Sequence, residues 1–139
     1  MNLLLINPPG AKSKKEQFDV SDCLRKKFKI NTFVSYLDDN KPKINRDYFI
    51  SFDDWVKENS DYIEKYNIND LEKEFPNTNL WSIVVSQRTF YDYSYLDGLE
   101  PYFNPPLKDS IFVLKSVVLF YSRIIKEKKI KFVLAHAAD

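Results

Sequence analysis

A chain of 139 residues suffices for one domain with its own core and falls short of the size usual for a two-domain catalyst. Its 44% hydrophobic and 29% charged residues are those of a globule and exclude a disordered tail, while only two glycines argue against a Gly-rich phosphate loop and a turn-rich all-β fold. A net charge of +1, with Lys and Arg scattered among nearly equal numbers of Asp and Glu, sets up no long-range field toward nucleic acid, and the lone Cys23 excludes an internal disulfide or a multi-cysteine zinc site and fits a reducing cytoplasm.

Residues 2–6 form a compact apolar run ended by Asn7-Pro8-Pro9-Gly10, the pattern of a buried first strand that breaks into a loop. The segment lacks a basic leader and is too short for a secretion signal. Residues 11–29 carry many lysines and one weak apolar set, Phe18, Val20, Leu24 and Phe28, which predicts a loop followed by a short helix over 21–27. Cys23 falls on that helix as inert packing. β-branched and aromatic residues at 32–37, closed by Asp38-Asp39-Asn40 and Pro42, predict a second strand.

From Ser51 the period changes. Phe52, Trp55, Val56, Asn59, Ile63 and Tyr66 share one helical face, Ser51 is placed to cap the amide of Asp54, and Asp53 and Asp54 sit where the helix dipole favours carboxylates. Asn69 is placed to cap a second short helix running through Leu71 to Phe75, and Pro76 ends it. The run 80–85, with Trp81 and its β-branched neighbours, predicts a third strand, a helical turn being the alternative. Residues 86–106 have no period but hold Tyr91, Tyr93, Tyr95, Tyr102 and three prolines, as expected of a loop that is functional or packed by its own side chains.

Asp109 or Ser110 then caps a long helix whose Leu114, Val117, Val118, Tyr121, Ile124 and Ile125 form one face, with Ile111, Phe112, Val113 and Phe120 extending the apolar surface nearly all round. Lys115, Ser116, Ser122 and Arg123 interrupt the stretch 111–125, so it falls short of a membrane span and leaves at most peripheral membrane contact. Lys126, Lys128 and Lys129 complement the negative end of the helix, and 131–135 is the last strand. Strands alternating with helices predict an α/β fold, an open, mostly parallel, Rossmann-like sheet flanked by helices. The arrangement expected has the last strand lying centrally and parallel beside residues 3–6, so that both strands open into one crevice at their carboxyl ends.

His136 is the only histidine, just past the last strand, where an imidazole suits a general base or a ligand to a sugar hydroxyl or phosphate; a histidine that merely hydrogen-bonds the strand end is the other reading. His136 and Asp139 lack the further ligands a metal would need, so no metal and no cofactor is expected. Arg88 could clamp a phosphate or carboxylate, or pair with Asp92 or Asp97 to hold the long loop. Asn7 could bind a sugar hydroxyl or only cap its turn. The tyrosines between 91 and 102 could form a stacking platform for a sugar ring or be the private core of their loop. His136 is therefore the candidate catalytic residue, with Asn7, Arg88 and Asp139 as candidate substrate ligands. The carboxylate pairs read as turn and helix-start residues, and there is no glycosidase pair, triad or P-loop.

The order strand-Asn7-Pro8-Pro9, then Leu80-Trp81-Ser82-Ile83-Val84 leading to Arg88-Thr89-Phe90, then a long helix and Phe132-Val133-Leu134-Ala135-His136, resembles the amino-terminal half of bacterial capsule and surface-polysaccharide biosynthesis proteins of the two-Rossmann glycosyltransferase type. Many of these carry an Asp-Arg-Tyr-like step where this chain has Gln87-Arg88-Thr89-Phe90, so only the arginine carries over. The resemblance implies a cytoplasmic, acceptor-side domain that binds a sugar or lipid-linked acceptor. Its nucleotide-sugar site would belong to a carboxy-terminal domain or a partner chain, and the segment alone would be inactive. Two alternatives come from other classes. One is a non-catalytic module that pairs through the apolar helix over 110–126. The other is a cobalamin-binding-like domain, which the opening Leu3-Leu4-Leu5-Ile6-Asn7-Pro8-Pro9 also resembles, although no histidine precedes His136 to coordinate cobalt.

Overall fold

The computed structural model describes residues 1–6, 11–36, 46–83 and 107–135. The chain divides into two compact units, Met1–Glu58 with Phe120–Asp139, and Asn59–Leu119. In chain order the elements are β1 (Asn2–Ile6), α1 (Ala11–Phe28), β2 (Asn31–Tyr36), β3 (Phe49–Ser51), α2 (Phe52–Lys65), α3 (Ile68–Glu74), α4 (Leu107–Glu127) and β4 (Phe132–Ala135).

The first unit holds a four-stranded sheet in the order β3-β2-β1-β4, parallel throughout, which is the α/β arrangement expected from the sequence. Parallel neighbours share a face at paired positions, and alternate residues point to opposite faces. Leu5 and Val34 therefore join Phe18 of α1 and Tyr48 in one cluster, while Leu4 joins Phe120 and Ile124 of α4 in another. Both faces of β1 are covered, as a parallel sheet requires, and Leu4 and Leu5 are 0% and 1% exposed. On the α4 side Phe120 is the hub. Its ring meets Phe52, Trp55 and Tyr121 edge-on at centroid distances of 5.1, 5.5 and 5.1 Å.

Four expectations are corrected. Helix α1 spans 18 residues rather than only 21–27. Lys, Glu, Gln and Ala are good helix formers, and the helix needs only the buried Phe18 and Ser21 against the sheet, so its apolar period is faint. The third strand is Phe49–Ser51, and the run 80–83 is helical: Asn79 Oδ1 accepts from the amide of Ser82 at 2.8 Å, and that cap outweighs the β-branched composition. Helix α3 is capped by Asn67, whose Oδ1 accepts from the amide of Asn69 at 2.9 Å, leaving Asn69 to accept from Trp81 Nε1 at 3.1 Å. Helix α4 starts at Leu107, so Ser110 lies inside it, buried. The cap foreseen at Ser51 is present, with its Oγ accepting from the amide of Asp54 at 3.2 Å.

The placement of β4 needs a finer correction. It runs parallel beside β1 as foreseen, with Leu3 opposite Phe132 and Ile6 opposite Ala135, but among the described residues it lies at the sheet edge rather than centrally. Phe132, Val133 and Leu134 are 57%, 47% and 61% exposed.

In the second unit, Ile63, Ile68, Leu71, Leu80 and Leu119 are buried. Lys115 is also buried, and its Nζ donates to the carbonyls of Glu64 and Tyr66 at 2.9 and 3.0 Å. A cation at the end of α2 meets orphan carbonyls and the negative pole of the helix together. Burial lowers the Lys115 pKa from its ordinary value, and the Glu64 carboxylate opposes that shift.

Candidate functional site

In an open parallel sheet the ligand crevice opens where the winding changes direction, outside the carboxyl ends of the two strands concerned. Here the chain winds from β1 through β2 to β3 on one side, and β4 joins β1 on the other, so the switch point lies between β1 and β4. The register sets Ile6 against Ala135 at their carboxyl ends. Asn7 follows the one in sequence and His136 follows the other. Asn7, Arg88, His136 and Asp139, together with the tyrosines of the long loop, lie outside the described residues. The fold brings the ends of β1 and β4 together; it does not place those side chains.

The described groups at this end of the sheet include two buried hydroxyls, besides the Asp53 and Asp54 carboxylates that open α2. Ser35, opposite Ile6 on the α4 face, is fully buried, and the Tyr121 phenol of α4 lies close to it without a well-formed hydrogen bond between the two. Burial raises the Tyr121 pKa, an effect that the nearby Ser35 hydroxyl partly offsets. Tyr121 is thus a neutral phenol at physiological pH, able to donate a hydrogen bond and unable to act as a base. Helix α1 begins soon after β1, so the positive pole of its dipole faces the same end, and its first turn carries no carboxylate. Helix α2 differs, with Asp53 and Asp54 in its first turn. At the start of α1 the helix dipole therefore favours a polar or anionic group over a cation. Among the described residues no cluster of three or more His, Cys, Asp or Glu could hold a metal ion.

A second polar cluster lies toward the amino ends of the strands. Asp22 of α1 accepts from Tyr48 Oη at 2.7 Å and from an Arg46 guanidinium nitrogen at 3.1 Å. Arg25, one helical turn on, lies over the Tyr48 ring at 4.8 Å and donates to the carbonyl of Thr32 at 2.6 Å. Sequence reasoning missed this cluster because Tyr48 and Arg46 sit in a short turn without period; the only signal was the Asp22–Arg25 spacing on one helix face. The Tyr48 pKa is pushed up to about 12, by burial first and then by its hydrogen bond to Asp22. The Asp22 carboxyl is held below its ordinary value, chiefly by the Tyr48 hydroxyl and then by Arg46.

A carboxyl whose pKa falls on folding stabilises the fold above its unfolded value, near 3.9, and that stability is lost as pH drops through the lower folded value. Asp22→Asn is accordingly expected to be less stable than the parent at neutral pH, with the difference in urea midpoint shrinking below about pH 4. A difference that stays constant down the acid limb would show that the carboxylate charge plays no part in the cluster.

No family model, no curated protein and no solved structure matches this chain.

Proposed function

We propose that this chain is the amino-terminal, acceptor-side domain of a glycosyltransferase-like protein of bacterial surface-polysaccharide biosynthesis. It would act in the cytoplasm, at the periphery of the inner membrane, and would be inactive without a carboxy-terminal domain or partner chain. The observation that carries the reading is the sheet order β3-β2-β1-β4, with the carboxyl ends of β1 and β4 side by side. That is the topology in which a crevice receives a ligand. The start of α1, whose first turn carries no carboxylate, suits a sugar phosphate better than a cation. The exposed Val133 and Leu134 of the β4 edge support a partner domain or chain beside it, since an uncovered apolar strand is otherwise a liability. No helix among the described residues is long and apolar enough to cross a membrane. On this reading His136 takes the acceptor proton, and Asn7, Arg88 and Asp139 hold the acceptor.

The experiment is an NMR titration of the 139-residue chain with UDP-glucose, UDP-N-acetylglucosamine and a short-chain polyprenyl diphosphate-linked N-acetylglucosamine. The nucleotide sugars are expected to leave the spectrum unchanged, and the lipid-linked sugar to shift the amides of Ile6, Ser35 and Ala135. Micromolar binding of either nucleotide sugar would overturn the division of labour, and shifts from the acceptor confined to other parts of the chain would remove the crevice from the mechanism.

A further inference from the structure

The lysines look scattered in the sequence, but the fold gathers a set of them. Helices α1 and α4 both run back toward the amino end of the sheet and both end there. The first brings Arg25, Lys26, Lys27 and Lys29, with no carboxylate from 23 to 31; the second brings Lys126, Lys128, Lys129 and Lys131, with Glu127 alone among them. Glu127 is engaged by Arg123 at 3.8 Å. The seven lysines are exposed. Backbone and side-chain bonds hold the two turns on either side of β1. The amide of Asn31 donates to the carbonyl of Met1 at 3.1 Å and the amide of Lys131 to that of Asn2 at 3.0 Å. Asn2 Nδ2 donates to the carbonyl of Lys128 at 2.5 Å, and Asn2 Oδ1 accepts from Asn31 Nδ2 at 3.3 Å.

Complementing the helix dipole accounts for cations in a last turn, but not for Lys29, Lys129 and Lys131 beyond it. Lys29 and Lys129 have φ of 56° and 49°, the left-handed position after a helix where glycine is the usual residue. At both places a lysine stands where the backbone alone would favour glycine. Met1, Phe28 and Phe132 lie at the same end of the sheet and are 61%, 65% and 57% exposed. Arg25, the one arginine of the set, is turned inward to Thr32 and Tyr48. Two further carboxylates lie near this end: Asp22 is held by Tyr48 and Arg46, and Asp47 precedes β3 beside Arg46.

We propose that this amino-end face docks on an anionic lipid bilayer, with the lysines at the headgroups and Met1, Phe28 and Phe132 entering the interface. Compact ammonium groups around apolar tips match that surface. Recognition of nucleic acid would draw on outward-facing arginines, whereas here Arg25 is turned inward and Arg46 and Arg123 are ion-paired with Asp22 and Glu127. The proposal stands apart from the acceptor crevice, because it uses the opposite end of the strands.

The test is co-sedimentation of the full chain with vesicles of equal parts phosphatidylcholine and phosphatidylglycerol, against phosphatidylcholine alone, at low and high salt. Binding is expected only to the anionic vesicles and to weaken with salt. The double variant Lys29→Gly with Lys129→Gly removes two charges while relieving two left-handed residues, so it is expected to melt no lower than the parent. It should nevertheless bind the vesicles about 25-fold more weakly, roughly fivefold for each lysine. Phe28→Ser should also weaken binding, and Lys57→Glu, on α2 and in neither of the two lysine-bearing turns, should not. Equal binding to both vesicle types, an unchanged affinity of the glycine variant, or tighter binding of a duplex DNA oligonucleotide than of the vesicles would each overturn the proposal.

Discussion

Phe120→Ala is expected to cost about 3–5 kcal/mol of folding free energy, as measured by urea denaturation. The ring is fully buried, and the edge-on contacts with Phe52, Trp55 and Tyr121 add to its burial beside Leu4 and Ile124. Alanine would leave a cavity between α4 and the sheet that neighbouring side chains on a helix and a strand can close only in part. Phe120→Leu, which keeps most of the volume and loses the ring edges, should cost less. The emission of Trp55 should move to the red in the alanine variant as its neighbour is removed. A loss under about 1 kcal/mol, within the range of an average substitution, would mean that this ring is not the hub of the face.

The second large effect is a contrast along the sheet. Leu4→Ala and Leu5→Ala are each expected to cost about 2–5 kcal/mol, because adjacent residues of β1 enter two different clusters, one under α4 and one under α1. Leu134→Ala, in the register position beside Leu5, should stay within about 0.5 kcal/mol of the parent, since that side chain is exposed. The same substitution in neighbouring, paired leucines thus separates a central strand from an edge strand. If Leu134→Ala were as damaging as Leu5→Ala, β4 would be covered and its placement at the edge would be wrong.

Strands β1, β2 and β4 were legible because each is a short apolar or β-branched run bounded by turn residues, and α2 was legible from the Ser51 cap and the period that follows it, although its backbone leaves the helical region at Asn59 (φ −115°, ψ 15°) and the helix ends at Lys65. The misses have local causes. Phe49–Ser51 is three residues long and has no period to detect; its membership in the sheet depends on pairing with Val34, Ser35 and Tyr36, which is long-range information. The run at 80–83 carries strand-like residues, but Asn79 before it was the better signal, since a side-chain oxygen at a helix start answers an amide that a strand does not present. In α1, good intrinsic helix formers lacked an amphipathic stripe, and weight given to the stripe alone shortened the helix.

On α4 the buried positions are Ser110, Lys115, Ser116, Leu119, Phe120 and Ile124 rather than the whole apolar set. Three of them, Ser110, Lys115 and Ser116, were invisible to a hydrophobic count: Ser116 Oγ bonds the carbonyl of Phe112 at 2.7 Å, and Lys115 caps α2. Val113 and Ile125 are the exposed large apolar residues of that helix among those described, so the broader apolar surface open to a partner is β4. The crevice was legible as topology, since a strand that precedes Asn7 and a strand that precedes His136 can open side by side. The gathering of lysines at the opposite end was not, because it arises only when two helices far apart in sequence end on either side of β1.

The most direct test of the account is a nuclear Overhauser experiment on the labelled chain across β1 and β4. Parallel neighbours in the register of Leu3 with Phe132 and Ile6 with Ala135 should give amide and α-proton contacts that advance together along both strands, with no comparable series from β4 to β2. Contacts that advance in opposite senses, or a series linking Phe132–Ala135 to any strand other than β1, would separate the two carboxyl ends and remove the crevice between them.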